Sequence, residues 1–264
     1  MKLGIFDSGL GGLLIADSLK RELPEYSYSY LGDTKRMPYG NRSAEAIFEF
    51  TLEGVRYLLE QRGCAIVIIA CNTASSEALR RIQQGYLAQK FPDRRVLGVL
   101  IPTAEAARGL ASVGVLATSG TVRSGTYPVE LKKISPATAV FQQAAPLLAP
   151  LVEQDGLKWA EPIVAEYMKP LLERGAEGII LGCTHYVALK DMARKAAGPN
   201  VKVYSQDELV AESLRNYLHR HPELETRLSK DGSREYAVTD PVESPAFSRL
   251  LDPEELSSLM TITL

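Results

Sequence analysis

The sequence predicts an α/β fold of two pseudo-symmetric α/β domains, with mainly parallel sheets flanked by helices and an active site in the interdomain cleft. Two observations support this. Short apolar runs alternate with longer amphipathic stretches, and two segments of the first half recur in the second. Runs that are apolar throughout indicate strands buried on both faces. A chain of 264 residues, 45% of them hydrophobic, can bury such a core.

Six short apolar runs are the predicted strands. In chain order they read LGIF, AIVIIA, RVLGVL, VGVLA, EGIILG and VKVY. Longer amphipathic stretches predict helices over residues 43–61, 74–90, 160–174 and 187–197. Strands that alternate with helices in this way form parallel sheets covered on both faces. Ligands of such sheets bind at the carboxyl ends of the strands, so polar residues at those ends are the candidates for function.

Two segments of the first half recur in the second half at matched spacing. GIFDSG at 4–9 resembles GVLATSG at 114–120, and RGCAIVIIACNT at 62–73 resembles RGAEGIILGCTH at 174–185. In both copies of the second segment an Arg-Gly pair precedes a cysteine, Cys71 or Cys183, by nine residues counted from the Arg. This conserved spacing indicates an internal duplication. Two similar α/β halves would face each other with their strand ends across a cleft.

The duplication predicts two domains. The second begins near GVLIPTAEAA and spans residues 98–208. The tail from about Glu208 is expected to return to the first half, so the first domain comprises residues 1–97 and 209–264.

Composition argues against several classes of partner. Thirty basic and 32 acidic residues leave a net charge of −2, so no general attraction to nucleic acid or to an anionic membrane is expected. No apolar stretch approaches the roughly 20 residues that span a bilayer, and a strand-like KLGIF follows Met1 directly, so we expect a cytoplasmic protein. The sequence lacks metal, P-loop and dinucleotide signatures, which favours a small ligand and a reaction without metal or cofactor.

The duplication pairs Cys71 with Cys183. Three cysteines in a reducing compartment remain thiols. Two opposed thiols could remove a proton from one face of a carbon and return it to the other, which is racemisation or epimerisation. A thiol pKa of about 8.5 can be brought toward neutrality by a cation, a helix N-terminus or hydrogen-bond donors. The alternative is two buried strand-end residues inherited by duplication, and Cys64, whose counterpart is Ala176, is interpreted as such core filler.

Other polar residues near the predicted strand ends could contact a ligand or merely cap helices. Asp7 and Ser8 precede GLGG, whose backbone can approach a carboxylate, although Asp is also a common N-cap. Tyr39 and Gly40 form either a rigid loop that presents amides and a hydroxyl to a ligand, or a plain turn before a helix capped near Ser43. The remaining candidates would make a donor-rich cleft suited to an amino acid, with capping as the alternative: Asn72, Thr73, Ser119, Thr121 and Thr184.

His185 follows Cys183 by two residues. It could tune or relay the proton of that thiol, or it could satisfy a backbone carbonyl. A cysteine-histidine hydrolase would also use this pair, but it would leave the twin at Cys71 unexplained.

Six motifs in this order resemble those of glutamate racemases: GIFDSGLGG, GDTKRMPYG, ACNTAS, GVLATSGTVRSGTY, PLVE and LGCTHY. The resemblance covers about residues 3–215. It implies a pseudosymmetric two-domain fold and a cofactor-independent interconversion of L- and D-glutamate that supplies D-glutamate for peptidoglycan. Cys71 would handle the proton of the D-enantiomer and Cys183 that of the L-enantiomer, with Asp7, His185 and Glu153 as assisting groups. The implied substrate contacts are Asp7, Ser8, Tyr39, Gly40, Asn72, Thr73, Thr184 and His185.

The sequence departs from the family pattern at two places. Ala145-Pro146 stands where the family usually has Cys-Pro, and Ser205 stands where it often has Asp. Two alternatives remain beside glutamate racemisation. One is an aspartate or hydantoin racemase of similar two-cysteine design, against which Tyr39-Gly40 and FDSGLGG favour glutamate. The other is a non-catalytic regulatory binding protein on the same scaffold. We expect a homodimer that needs no nucleic acid or membrane.

Overall fold

Two parallel sheets form the centre of the fold in the computed structural model, which describes residues 1–241 and 250–264. The strands are β1 Leu3–Asp7, β2 Tyr28–Gly32, β3 Ile66–Ile69, β4 Arg95–Gly98, β5 Ser112–Ala117, β6 Ala139–Ala144, β7 Gly178–Gly182, β8 Lys202–Tyr204, β9 Arg234–Val238 and β10 Met260–Thr261. The first sheet has the order β10-β9-β2-β1-β3-β4, and the second has the order β6-β5-β7-β8.

Helices cover the faces of both sheets. The α-helices are α1 Gly12–Glu22, α2 Ala44–Arg56, α3 Asn72–Ile82, α4 Ala88–Lys90, α5 Leu100–Ala106, α6 Ser119–Ser124, α7 Thr126–Ile134, α8 Leu148–Glu153, α9 Ala160–Glu173, α10 Lys190–Ala197, α11 Gln206–Arg220, α12 Pro222–Glu225 and α13 Pro253–Ser257. Short 3₁₀ helices span Tyr39–Asn41, Leu157–Trp159 and Thr184–Leu189, and π-helical turns span Tyr57–Gln61 and Gln83–Leu87.

The two halves share one topology. The orders β2-β1-β3-β4 and β6-β5-β7-β8 are equivalent, and these neighbouring strands pair in parallel. Strand β1 corresponds to β5 and β3 to β7, which are the pairs of segments whose sequences resemble each other. The predicted α/β fold with two similar halves is therefore confirmed. Equivalent strands lead into equivalent loops, so Cys71 after β3 and Cys183 after β7 occupy corresponding places.

The six apolar runs all form strands, whereas four further strands were not predicted. Strands β1, β3 and β7 are buried at every position, which explains their continuous apolar sequence. The missed strand β6 lies at the edge of its sheet, and its residues are exposed or half-buried, so it carries little hydrophobic signal. Strands β2, β9 and β10 were missed as well, and they form the other side of the first sheet.

The predicted helices differ from the observed ones mainly at their ends. Helix α2 begins after Ser43, whose hydroxyl accepts a hydrogen bond from Ala46 N at 3.3 Å, as expected for an N-cap. The stretch 43–61 then ends in a π-helical turn, and the stretch 74–90 divides into α3, a second π-helical turn and α4. The stretch 187–197 begins inside a 3₁₀ helix and becomes α10 only at Lys190.

The chain crosses from the second sheet to the first between β8 and α11. Val210, Leu214 and Leu218 of α11 pack in the same core cluster as Leu3 and Ile5 of β1. The tail therefore returns to the first sheet, while the boundaries at residues 98 and 209 stay predictions. Residues 242–249 of the predicted first domain lie outside the described residues. Within residues 1–241 and 250–264, no helix is long and apolar enough to cross a membrane.

Candidate active site

Side chains from the carboxyl ends of both sheets meet in one cleft. Strand β1 ends at Asp7 and β3 leads into Cys71, while β5 leads into Thr118 and β7 into Cys183. The halves are in direct contact here, because Thr73 Oγ1 lies 2.9 Å from Thr118 Oγ1. The structure places most of the candidate residues from the sequence around this cleft: Asp7, Ser8, Gly40, Cys71, Asn72, Thr73, Thr121, Glu153, Cys183, Thr184 and His185.

Cys71 lies at the N-terminus of α3 and is buried. It is the N-cap residue, and its Sγ accepts hydrogen bonds from Ala74 N at 3.4 Å and from the Ser8 hydroxyl at 3.1 Å. Burial raises the pKa of Cys71 to about 12, with further raising by Asp7 and Cys183, and the two donors offset only part of this. Burial, the largest influence, thus keeps the Cys71 thiol protonated despite its place at a helix N-terminus and its two hydrogen-bond donors.

Cys183 follows β7 and precedes the 3₁₀ helix of Thr184–Leu189. Its backbone is extended, and its carbonyl accepts a hydrogen bond from Tyr186 N at 3.0 Å. The Sγ lies 3.8 Å from His185 Nδ1. The short helix turns the chain back so that the thiol and the imidazole two residues later share one side of the cleft.

His185 lies between Cys183 and Glu153. Its Nε2 is 3.0 Å from Glu153 Oε1, an ion-pair distance, without the alignment of a hydrogen bond. Burial lowers the pKa of His185, but the contacts with Cys183 and Glu153 raise it more, and the net pKa lies well above its usual range. The imidazole therefore stays protonated at neutral pH and places a cation beside Cys183.

Asp7 is a charged neighbour of the other thiol, Cys71. Its Oδ2 accepts a hydrogen bond from Gly9 N at 2.9 Å, and no group in the described part of the chain hydrogen-bonds to its Oδ1. Burial is the largest influence on its pKa and raises it, while His185 and the backbone donors of Gly12 and Gly9 lower it in part. A buried carboxylate with a raised pKa can accept a proton.

Three threonine hydroxyls join the first turns of two helices, one from each half. Thr73 Oγ1 lies 2.9 Å from Thr118 Oγ1 and 3.2 Å from Thr121 Oγ1, and Thr118 is the N-cap of α6. Helices α3 and α6 therefore both direct their N-termini at this part of the cleft. Backbone N–H groups and hydroxyls at two helix N-termini suit a carboxylate ligand.

The loop of Tyr39 and Gly40 packs against the second half. A Cβ on Gly40 would lie 3.2 Å from Thr118 Cβ, which is a tight contact, whereas a Cβ on Gly120 would lie 2.8 Å from the backbone oxygen of Gly40, so position 120 requires glycine. The Tyr39 hydroxyl, which the sequence offers as a ligand contact, has a partner within the protein. It donates to Asp33 Oδ2 at 2.5 Å inside the first half, and the side chain is buried. The role of Tyr39 in substrate binding stays a prediction.

Sequence reasoning missed three residues near the cleft. The duplication pairs Thr118 with Asp7, so the sequence could have indicated Thr118 as a site residue, but it was not among the candidates. Tyr127 and Gln206 are buried and hydrogen-bond to Asn72, and nothing in their local sequence marks them. Cys64 is buried in the first half's core, as predicted.

Comparison with known proteins identifies the family. A family model described as Asp/Glu/Hydantoin racemase matches residues 14–212. The chain belongs to this racemase family. The resemblance seen in the sequence motifs is thus confirmed, and the chain is an isomerase.

Several relatives in the racemase family are described as glutamate racemases. The glutamate racemase of Roseobacter denitrificans is 39% identical over 237 residues, which cover 84% of this chain and 87% of that protein. The crystal structure of glutamate racemase isoform RacE1 from Bacillus anthracis matches with a TM-score of 0.85 at 30% identity, covering 100% of this chain and 97% of that one. A Francisella tularensis glutamate racemase, solved with D-glutamate, has a TM-score of 0.85 at 27% identity, with the same coverage of 100% and 97%.

Proposed function

We propose that the chain interconverts L-glutamate and D-glutamate by a two-base proton transfer at the α-carbon, without a cofactor. The observation that carries the proposal is the pair Cys71 and Cys183, two buried thiols that follow equivalent strands of two equivalent half-folds. The descriptions of the relatives support glutamate as the substrate. Chemically, inversion at a carbon requires one group on each face, which this arrangement supplies.

The proton balance of the reaction follows from the two thiols. Cys183, as thiolate, takes the α-proton of L-glutamate and becomes a thiol, and the electron pair remains on the substrate as a carbanion. Cys71, as thiol, then donates its proton to the opposite face and becomes a thiolate. The raised pKa of Cys71 agrees with the protonated form that this direction needs at the start. The reverse direction exchanges the two roles.

Charged neighbours support each thiol in a different way. Protonated His185, held by Glu153, stabilises negative charge on Cys183 while it is the base. Asp7 lies near Cys71 and can accept the proton of the Cys71 thiol when Cys71 becomes the base. Ser8 donates to the Cys71 sulphur and stabilises its thiolate. Asp7, His185 and Glu153 are therefore proposed as assisting residues.

Substrate binding is proposed for the donors that surround the thiols. Thr73 and Thr121, at the N-termini of α3 and α6, would bind one carboxylate of glutamate. Thr184 and the backbone of the Tyr39-Gly40 loop lie at the cleft, with Ser8 and Asn72 on the first half's side. Preorganised donors and exclusion of water would stabilise the carbanion. Closure of the two proposed domains, 1–97 with 209–264 and 98–208, would supply that exclusion.

The cellular role is also a proposal and rests on the family resemblance. We propose that the protein is cytoplasmic, supplies D-glutamate for peptidoglycan and hence for cell shape, and works as a homodimer. Rescue of a D-glutamate auxotroph tests the role, and failure to rescue by an expressed, active protein would refute it. Sedimentation velocity tests the dimer, and a single species at the monomer mass would refute it.

Circular dichroism of the substrate tests the proposed activity. Purified reduced protein should invert L-glutamate and D-glutamate to the same racemic mixture and leave L-aspartate and hydantoins essentially unchanged. Cys71→Ala and Cys183→Ala should each abolish inversion, whereas Cys64→Ala is the matched control and should keep it. Inversion of aspartate in preference to glutamate would refute the substrate, and full activity in both Cys71→Ala and Cys183→Ala would refute the two-base mechanism.

A further inference from the structure

Three consecutive residues, Ser205 to Asp207, anchor the chain where it crosses from the second sheet to the first. The Ser205 hydroxyl donates to Asp207 Oδ1 at 2.5 Å, and Lys190 Nζ on α10 donates to Asp207 Oδ2 at 2.6 Å. Ser18 of α1 donates to the backbone carbonyl of Asp207. Gln206, at the centre of this crossing, is thus fixed by contacts with both halves. Its own side chain is fully buried.

The Gln206 carboxamide forms a reciprocal pair with the carboxamide of Asn72. Gln206 Nε2 donates to Asn72 Oδ1 at 2.7 Å, and Asn72 Nδ2 donates to Gln206 Oε1 at 2.9 Å. The Tyr127 hydroxyl of α7, in the second half, donates to the same Asn72 oxygen at 2.8 Å. Asn72 belongs to α3, and its side chain is therefore held by hydrogen bonds from α7 and from the crossing.

These bonds determine the orientation of the Asn72 amide. Its oxygen accepts two hydrogen bonds and its nitrogen donates one, so one N–H remains for another partner. Burial raises the pKa of Tyr127, so its hydroxyl stays protonated and remains a donor. Because Asn72 and Gln206 are both buried, loss of one partner would leave the other unsatisfied, which is unfavourable.

Asn72 is the first residue of α3 and directly follows Cys71. In the same turn Ser75 N donates to Cys71 O at 2.8 Å, and Ala74 N donates to Cys71 Sγ at 3.4 Å. A shift of Asn72 would therefore move the turn that holds the Cys71 sulphur. By contrast, Cys183 belongs to the loop after β7 and has no bond to this amide pair among the contacts of the described residues.

We propose that Gln206 is a positioning residue for Cys71: its carboxamide fixes Asn72, and through Asn72 the first turn of α3, relative to the second half and thus to Cys183. The inference rests on the proposed function, since it assumes that Cys71 exchanges a proton with the α-carbon. On this account, Gln206 controls the distance between the two thiols. Misplacement of a reacting group by about 1 Å can cost on the order of 100-fold in rate.

Gln206→Met tests the proposal, because methionine keeps the length of the side chain and removes both amide bonds. Racemisation kcat/KM should fall roughly 10- to 100-fold in both directions. The two directions must fall equally, because enantiomers have equal free energy. The specific readout is the primary deuterium isotope effect on kcat/KM, measured separately with α-deuterated D-glutamate and α-deuterated L-glutamate.

The isotope effects should change in opposite directions. A displaced Cys71 slows its own proton transfer, which is the step that breaks the labelled bond of D-glutamate, so that isotope effect should rise. With L-glutamate the labelled bond is broken at Cys183 before the slow step, so that isotope effect should fall. General loosening of the fold would not separate the two substrates in this way.

Ser205→Ala is the matched control, because Ser205 is buried at the same crossing but bonds to Asp207 and not to Asn72. Its two isotope effects should equal those of the wild type. Wild-type isotope effects in folded Gln206→Met would overturn the inference, whether or not its rate falls. Failure of the wild type to invert glutamate would instead refute the proposed function, so the two failures are distinguishable.

Gln206→Glu gives a second test if the methionine variant does not fold. A protonated glutamic acid can donate to Asn72 Oδ1 and accept from Asn72 Nδ2, as the amide does, whereas its carboxylate cannot donate. Activity of this variant should therefore be near wild type at low pH and be lost as the carboxyl ionises, relative to the wild-type pH profile. A pH profile parallel to that of the wild type would overturn the inference.

Discussion

His185 joins Glu153 to Cys183: Glu153 Oε1 lies 3.0 Å from His185 Nε2, and Cys183 Sγ lies 3.8 Å from Nδ1 of the same ring. The carboxylate lies on the last residue of α8, and the imidazole lies in the 3₁₀ helix after β7. The second thiol thus lies beside a cation, while the first lies beside the carboxylate of Asp7. Two thiols at equivalent places of the fold therefore have opposite electrostatic surroundings.

Glu153→Gln should shift the alkaline limit of activity. The Glu153 carboxylate helps to raise the pKa of His185, so its removal lowers that pKa, and His185 loses its proton at a lower pH. The alkaline limb of the kcat/KM profile should therefore move to lower pH. At pH values above the shifted limb, kcat/KM should be about 10-fold or more below that of the wild type. Glu161→Gln, which removes an exposed carboxylate paired with Lys195, is the control and should leave the profile in place. An unmoved limb in Glu153→Gln would contradict this role.

Asp7→Asn should make Cys71 more reactive toward alkylation. The Asp7 charge raises the pKa of Cys71, so the neutral amide lowers it and increases the thiolate fraction at a given pH. Iodoacetamide labelling of the Cys71 peptide, followed by mass spectrometry between pH 7 and 10, should become roughly 10-fold faster for each unit by which the pKa falls. Asp17→Asn on α1 is the control. Equal or slower labelling of Asp7→Asn would argue against the electrostatic contact.

Gly11→Ala should disturb the contact between the halves at His185. A Cβ at this position would lie 2.4 Å from Thr184 Oγ1 and 2.7 Å from His185 Nδ1, so one of these groups must move. Displacement of the imidazole should reduce kcat/KM by roughly 100-fold. Gly85→Ala is the matched control, because among the described atoms beyond its own helix none lies within 4 Å of its added Cβ. Equal activities of the two variants would contradict the tight packing at Gly11.

Cys64 should make the fold less stable at alkaline pH. Burial raises its pKa from 9.0 to about 12, so the thiol ionises in the unfolded chain before it does in the folded one. The folded pKa is the higher one, so the stabilisation is complete below about pH 9 and is lost as the pH rises toward 12. In Cys64→Ala, the free energy of unfolding from urea titrations should decline less steeply over this range, by about 1.4 kcal/mol per pH unit. Equal slopes would show that the Cys64 pKa is not raised.

Much of the fold follows from the sequence because the central strands are buried on both faces. Strands β1, β3, β5 and β7 have apolar sequences with little interruption, and their duplication made the equivalence of Cys71 and Cys183 visible without any structure. Edge strand β6 was missed, since a half-exposed strand has no such run. Its place in the sheet is decided by pairing with β5, which depends on tertiary structure.

The directions and partners of side chains were less predictable than their places in the chain. The Tyr39 hydroxyl lies toward Asp33 because the loop folds back on the first half. Gln206 and Asn72 are 134 residues apart in the chain, and they meet only because the chain crosses between the sheets at Gln206. The pKa of Cys71 is raised by burial and by the nearby Asp7, and its local sequence shows neither influence. Such effects depend on groups distant in the sequence.

Racemisation in D₂O tests the two-base mechanism most directly. Early in the conversion of L-glutamate, Cys71 should donate a solvent-derived deuteron, so nearly every D-glutamate molecule formed should carry α-deuterium. The remaining L-glutamate should still carry α-protium, and conversion of D-glutamate should give the mirror-image result. Mass spectrometry after separation of the enantiomers measures both. D-Glutamate that keeps the original α-protium of L-glutamate would mean that one group serves both faces, and would contradict the opposed roles of Cys71 and Cys183.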